Sequence, residues 1–111
     1  MTRKLFIILV FLSLSLTSVS AAVYKGQKYF VKTCVECHDS GQAFVSEYKI
    51  KQWKKWLNKK GKPLADLHLK NDKAEDSHKY FSGKAFTKQS KHLKDFLVEY
   101  AKDSGNVPAC N

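Results

Sequence analysis

Cys34-Val35-Glu36-Cys37-His38 is the stretch on which the reading of this chain turns. It has the pattern C-x-x-C-H: two thiols two residues apart, followed at once by an imidazole. That spacer sets the sulfurs about as far apart as the two vinyl groups of a haem. Each thiol can add to one vinyl as a thioether, and the imidazole then reaches the iron from the proximal side. Attachment, ring tilt and one axial ligand are all specified in this one short stretch.

Other chemistries use parts of the same pattern. A thioredoxin-like redox pair sits in a βαβ setting, and no strand pattern flanks Cys34. A zinc site made of Cys34, Cys37, His38 and Cys110 has the right ligand count, but not the usual two short ligand clusters. A disulfide between Cys34 and Cys37 would close a very tight loop and leave Cys110 odd. One covalently attached haem c per chain, held by Cys34 and Cys37 with His38 as proximal iron ligand, uses all three motif residues.

The N terminus agrees with that chemistry. Arg3 and Lys4 precede an apolar run from Leu5 to Leu16, and Val19-Ser20-Ala21 offers small residues at a cleavage point. Residues 1–21 therefore read as a cleaved secretory signal peptide, with an apolar run too short for a comfortable membrane span. No Cys stands at the cleavage point, which argues against a lipoprotein. Covalent haem attachment takes place outside the bacterial inner membrane, so the expected location is the periplasm. The rest of the chain has no second hydrophobic stretch and is expected to carry no transmembrane segment.

Residues 22–111 then form one small domain. A chain of this size buries little apolar surface alone and usually needs a staple. Covalent haem would supply it, because two of the three cysteines are used by the motif and cannot belong to a disulfide framework. Cys110 is left over. In an oxidising compartment such a thiol either stays free or makes a disulfide dimer between chains.

Gly26 and Phe30 stand at i, i+4, as do Phe30 and Cys34, so they share a helix face leading into the motif, and Gly26 would let another helix come close. Asp39 to Gly41 ends the motif's loop. From Phe44 to Lys60 the pattern predicts a helix with Ile50, Trp53 and Leu57 on one face, Gly61 as C-cap and Pro63 beyond it. The two Trp read as core bulk more readily than as an electron relay. Pro63 can open a short helix bearing Leu64, Leu67 and His68 on one face. Asn71 to Ser77 reads as a polar loop. Thr87 or Ser90 is expected to cap a last helix with Leu93, Phe96, Leu97, Tyr100 and Ala101 as its stripe, stopped by Gly105.

Gly26-x-x-x-Phe30-x-x-x-Cys34-x-x-Cys37-His38, together with Leu97-Val98-Glu99-Tyr100, resembles the N-terminal and C-terminal helices of class I cytochromes c. The resemblance implies an all-α fold of three to five helices around one haem, with the two terminal helices crossing at the small residue and the aromatic. The chain departs from the family in two ways. Its only Met is Met1, in the signal peptide, so the family's usual sixth ligand is missing. No Pro follows His38 until Pro63, so the family's usual carbonyl partner for the proximal imidazole is missing as well.

Three His are left for the distal side. His68 fits an apolar pocket best, between Leu67 and Leu69 and on a face with Leu64. His78 follows the polar Glu75-Asp76-Ser77 but stands where the family places its Met. His92 lies on the last helix beside Leu93. The order of preference is His68, His78, His92, with a Lys ligand or an open site as further alternatives.

The expected function is one-electron transfer by a periplasmic monohaem carrier. No Ser/His/Asp set, Gly-rich phosphate loop or paired carboxylates suggest an enzyme. The resemblance implies service as electron-accepting partner or subunit of a periplasmic oxidoreductase, such as a molybdopterin enzyme, or as partner of a terminal oxidase. The alternative is a haem-based gas sensor with an open or weakly held distal site; a zinc-stabilised module without haem is a third class.

The chain carries +10 at pH 7. Loss of Arg3 and Lys4 with the signal peptide and gain of two propionates would each lower this by about two. The basic residues are nearly all Lys, with Lys54, Lys55, Lys59 and Lys60 as one cluster. For an exported protein this favours acidic redox partners over nucleic acid, with loose attraction to anionic lipid as a further possibility. Electron-transfer rates with acidic partners should fall as salt rises, since screening shortens the reach of Lys charges to about 8 Å at physiological ionic strength. Stopped-flow rates that stay flat from low to high salt would contradict Lys-guided docking.

Overall fold

The computed structural model describes residues 18–108. The expectations for most of the signal peptide and for Cys110, including its part in a zinc site, fall outside this range. Among the described residues there are five α-helices, two 3-10 helices and no strand. They are α1 (Ser18–Thr33), α2 (Ile50–Trp56), α3 (Asn58–Leu69), α4 (His78–Phe81) and α5 (Lys84–Glu99), with 3-10 helices at Gly41–Glu47 and Asp72–Ser77. The all-α expectation is met. None of these helices is long and apolar enough to cross a membrane.

The first and last long helices pack on one another, and Gly26 is the reason they can. A Cβ built at residue 26 would overlap the His92 carbonyl oxygen and come within 2.6 Å of Phe96 Cβ. Helix α5 thus lies directly on the α1 backbone. One turn on, the rings of Phe30 and Phe96 meet at 5.4 Å between centroids. Phe30, Leu93, Phe96 and Leu97 are all buried there. The i, i+4 spacing of Gly26 and Phe30 puts the gap and the ring on the same face of α1.

Between these helices the chain departs from the expected pattern in several places. The helix expected over Phe44 to Lys60 is two pieces, because Tyr48 and Lys49 are extended. The break lets the 3-10 helix Gly41–Glu47 fold back, where the buried Trp53 donates its indole N–H to the Val45 carbonyl at 2.9 Å. Lys59, Lys60 and Gly61 are then left-handed, with φ of 49°, 57° and 79°. Gly61 therefore has the conformation of a C-cap, but α2 has already ended at Trp56. A side chain at residue 61 would also reach within 2.5 Å of the Phe86 ring. From Lys62 the chain is a regular helix with Pro63 in its opening turn, as the sequence predicts.

The polar stretch expected as a loop forms the 3-10 helix Asp72–Ser77, capped by Asn71, whose side chain accepts from Lys73 N–H at 3.0 Å. Helix α5 begins earlier than expected. Its N-cap is Gly83, while Thr87 and Ser90 lie inside it, and the Ser90 hydroxyl donates to the Thr87 carbonyl at 2.8 Å. It ends at Glu99, with Tyr100 as cap, short of Gly105.

Gly26→Leu should lower the chemical-denaturation midpoint by a free energy at the top of, or beyond, the about 1–3 kcal/mol typical of overpacked cores. The backbone atoms it meets cannot swing aside as a side chain would. Lys62→Ala, which removes only the exposed Lys62–Asp66 pair, should stay within about 1 kcal/mol. Equal small losses in both variants would mean that the helices do not cross at Gly26.

Candidate functional site

The C-x-x-C-H motif continues α1 as a hydrogen-bonded turn. Cys34 N–H donates to the Phe30 carbonyl at 2.8 Å, and His38 N–H to the Cys34 carbonyl at 3.0 Å. Gly41 N–H closes the next turn onto the His38 carbonyl at 2.9 Å. The winding sets Cys34 and His38 at i, i+4, on neighbouring turns of one face. Both cysteines are free thiols, Cys34 half-buried and Cys37 exposed. No disulfide joins them, in contrast to the tight-loop reading.

Burial pushes the Cys34 thiol up to about 11, against a smaller lowering effect of the Thr33 hydroxyl 3.5 Å from its sulfur. A redox dithiol needs the opposite, a thiol whose pKa is lowered so that it attacks as thiolate. The environment of Cys34 therefore argues against a thioredoxin-like role.

His38 stacks on Phe44, ring centres 4.0 Å apart and planes 22° from parallel. Phe44 is brought there by the 3-10 helix Gly41–Glu47, which Gln27 of α1 also ties by an amide–amide hydrogen bond to Gln42 at 2.9 Å. Across from His38 stands His68, from the last turn of α3, with ring centres 6.4 Å apart and planes at 80°. His68 is braced in the same way as His38. It stacks on Phe81 of α4 at 4.0 Å, and its Nδ1 lies 2.8 Å from the Leu64 carbonyl. A carbonyl only accepts, so Nδ1 carries the proton and Nε2 keeps a free lone pair. Burial, and then the neighbouring His68, hold the His38 imidazole below its usual range, while Glu47 and Asp39 act weakly the other way.

The other two candidates make different contacts. His78 directs Nε2 at the His68 carbonyl, 2.7 Å away, and at the Asn71 carbonyl, 3.1 Å away, at the end of α3. These carbonyls already accept from the Asn71 and Ala74 N–H groups, so His78 adds a side-chain bond to an end that the backbone has closed. His92 lies at the helix crossing, where its ring is 6.1 Å from that of Tyr29 and its buried Nδ1 has no hydrogen-bond partner. The structure therefore brings His38 and His68 together, while the described ring contacts of His78 and His92 lie with other groups.

Sequence reasoning did not find Phe44 and Phe81, the rings that orient the two imidazoles. Phe44 read only as the start of a helix, and no pattern singled out Phe81. A polar group behind Cys34 was also missed: the Tyr80 hydroxyl donates to Gln89 Oε1 at 2.7 Å, and burial pushes that phenol up to about 12.

The donor set can be tested against an axially held iron. Metal–imidazole bonds are about 2 Å long, and the bonded nitrogen lies about 1 Å from the ring centre. Two imidazoles on one ion therefore have centroids about 6 Å apart, close to the separation of His38 and His68. Among the described residues no three His, Cys, Asp or Glu gather as a metal site by themselves. A haem iron asks for less, since the macrocycle supplies the equatorial donors and the protein only the axial ones. Surface clefts bordered by Tyr48 and by Trp56 are lined by neither His38 nor His68.

His38 depression has a definite sign. Its unfolded form binds protons more tightly, so this group contributes stability that is present above the ordinary value of 6.5 and lost as pH falls through the depressed one. In a Cys34→Ser/Cys37→Ser protein, NMR titration should find His38 below 6.5, and His68→Gln should move it part of the way back. A His38 titration indifferent to residue 68 would show that the rings are not neighbours.

No protein-family model, curated protein or solved structure matches the chain.

Proposed function

We propose that the chain is a monohaem c-type electron carrier of the periplasm, with His38 and His68 as the axial pair. The observation that carries this reading is the 6.4 Å separation of those two imidazole rings beside a C-x-x-C-H motif. When bound, the haem supplies one-electron chemistry between ferric and ferrous iron. Cys34 and Cys37 tether the macrocycle by thioethers. His38 leaves the same turn as Cys34, so the tether and the proximal ligand move as one unit.

His68 is the better-prepared distal ligand because its Nδ1–H is already committed to the Leu64 carbonyl. Such a bond fixes the tautomer and the ring orientation. His78 has spent its Nε2 on backbone carbonyls. Phe44 and Phe81 press flat on the two imidazoles, limiting their rotation and covering one face of each from water. An imidazole pair favours ferric iron more than a Met/His pair does, so the potential belongs below that of a Met-ligated carrier of similar burial. The service implied is acceptance of electrons from a periplasmic oxidoreductase, whether a molybdopterin enzyme or another, and their delivery onward.

Expression in a host that matures c-type cytochromes tests the reading. Acid-denatured protein should keep its haem and give a c-type pyridine haemochrome, and Cys34→Ala or Cys37→Ala should abolish stable attachment. His68→Ala should turn the ferric spectrum high-spin and let the reduced form bind carbon monoxide, while His78→Ala and His92→Ala leave the Soret band unchanged. Freely extractable haem, or zinc without iron, refutes the carrier outright. Rapid carbon monoxide binding by the unsubstituted reduced protein would replace it with the gas-sensor reading.

A further inference from the structure

A surface cleft of about 440 Å³ opens beside the stacked rings, lined by Glu47, Tyr48, Lys49, Lys51, Gln52, Lys55 and Lys102. Four of its seven lining residues are lysines and one is acidic. Among the described residues the one ion pair is Lys62–Asp66, so these four charges are not cancelled by carboxylates bonded to them. The cleft is built from two parts of the chain. Lys102 N–H donates to the Tyr48 carbonyl at 2.9 Å, and Ile50 N–H to Asp103 Oδ1 at 2.8 Å. These bonds fasten the segment after α5 against the start of α2, which brings Lys102 next to Lys49, Lys51 and Lys55. Sequence proximity alone suggested Lys54, Lys55, Lys59 and Lys60, of which only Lys55 lines this cleft.

Its position matters as much as its charge. Tyr48 meets the Phe44 ring at 5.5 Å, and Phe44 stacks on His38 at 4.0 Å. Trp53 and Trp56 fill the space behind, each edge-on to Tyr48 at 5.4 and 4.8 Å. A partner seated in the cleft against Tyr48 is thus two ring contacts from the proximal imidazole.

We propose that this cleft, formed by Lys49, Lys51, Lys55 and Lys102 over Tyr48, is the docking site for an acidic patch of a redox partner protein. The inference rests on the carrier reading for the partner's nature. It does not depend on that reading for binding itself, which follows from charge complementarity between a lysine-lined concavity and carboxylates.

Two variants of equal charge change test it: Lys49→Glu/Lys51→Glu/Lys102→Glu in the cleft, and Lys84→Glu/Lys88→Glu/Lys91→Glu on exposed positions of α5. Hexaglutamate peptide at low salt should shift NMR signals of residues 47–55 and 101–103. The cleft variant should bind it at least about tenfold more weakly, and the α5 variant nearly as the parent does. In stopped flow, one electron passes from the reduced protein to hexacyanoferrate(III), giving hexacyanoferrate(II), and the cleft variant should be slowed several-fold more than the α5 variant. Equal losses in both variants would reduce the effect to net charge and overturn the proposal. So would peptide shifts elsewhere, or binding to phosphatidylglycerol vesicles through these lysines without peptide binding. The peptide map is read on the protein as isolated, whatever its absorption spectrum, so failure of the carrier reading shows in the spectrum and failure of the docking site in the map.

Discussion

The carbonyl of His92 occupies the place where a side chain at residue 26 would have to be, and much of the rest follows from that approach. It lets two sixteen-residue helices pack with Phe30 and Phe96 buried between them. The C-x-x-C-H turn leaves the end of α1 and therefore inherits a fixed position relative to α5. Leu57 and Ala65, from the stretch between them, join Phe30, Phe86, Leu93 and Phe96 in one buried cluster.

The two imidazoles are held from opposite ends of this arrangement. His38 belongs to the turn after α1 and leans on Phe44, and His68 belongs to α3 and leans on Phe81. To bring α3 round, the chain takes three left-handed residues in succession, two of them lysines. Left-handed backbone costs about 1–2 kcal/mol for each such residue with a Cβ. The cost is offset by what the turn makes possible: Gly61 packs against Phe86, Ala65 is buried, and His68 is placed opposite His38.

The all-helical character and the helix crossing were legible in the sequence because both follow from i, i+4 spacing, and Gly26 and Phe30 state it openly. The sequence suggested an apolar setting for His68 between Leu67 and Leu69, but both leucines are exposed; what sets its ring near His38 is the last turn of α3, with Nδ1 bonded to the Leu64 carbonyl. What was not legible has a common cause. The break at Tyr48 and Lys49, the left-handed turn at Lys59 and Lys60, and the stacking of Phe44 and Phe81 are all imposed by tertiary packing on residues whose own propensities do not announce them. Helical spacing predicted one helix through Trp53 because its apolar stripe ran on. The indole bond to Val45 and the edge-on rings of Phe44, Tyr48 and Trp56 prefer a chain folded back on itself. The early start of α5 is a local matter, since Gly83 caps without a side-chain signal and Ser90 bonds back into its own helix.

The two thiols of the motif are not equivalent. Burial pushes the half-buried Cys34 thiol up to about 11, with the Thr33 hydroxyl 3.5 Å from its sulfur. Cys37, three residues on, is open to solvent. Under the carrier reading the two thioethers therefore form on unequal sulfurs, one open to solvent and one partly covered by its neighbours.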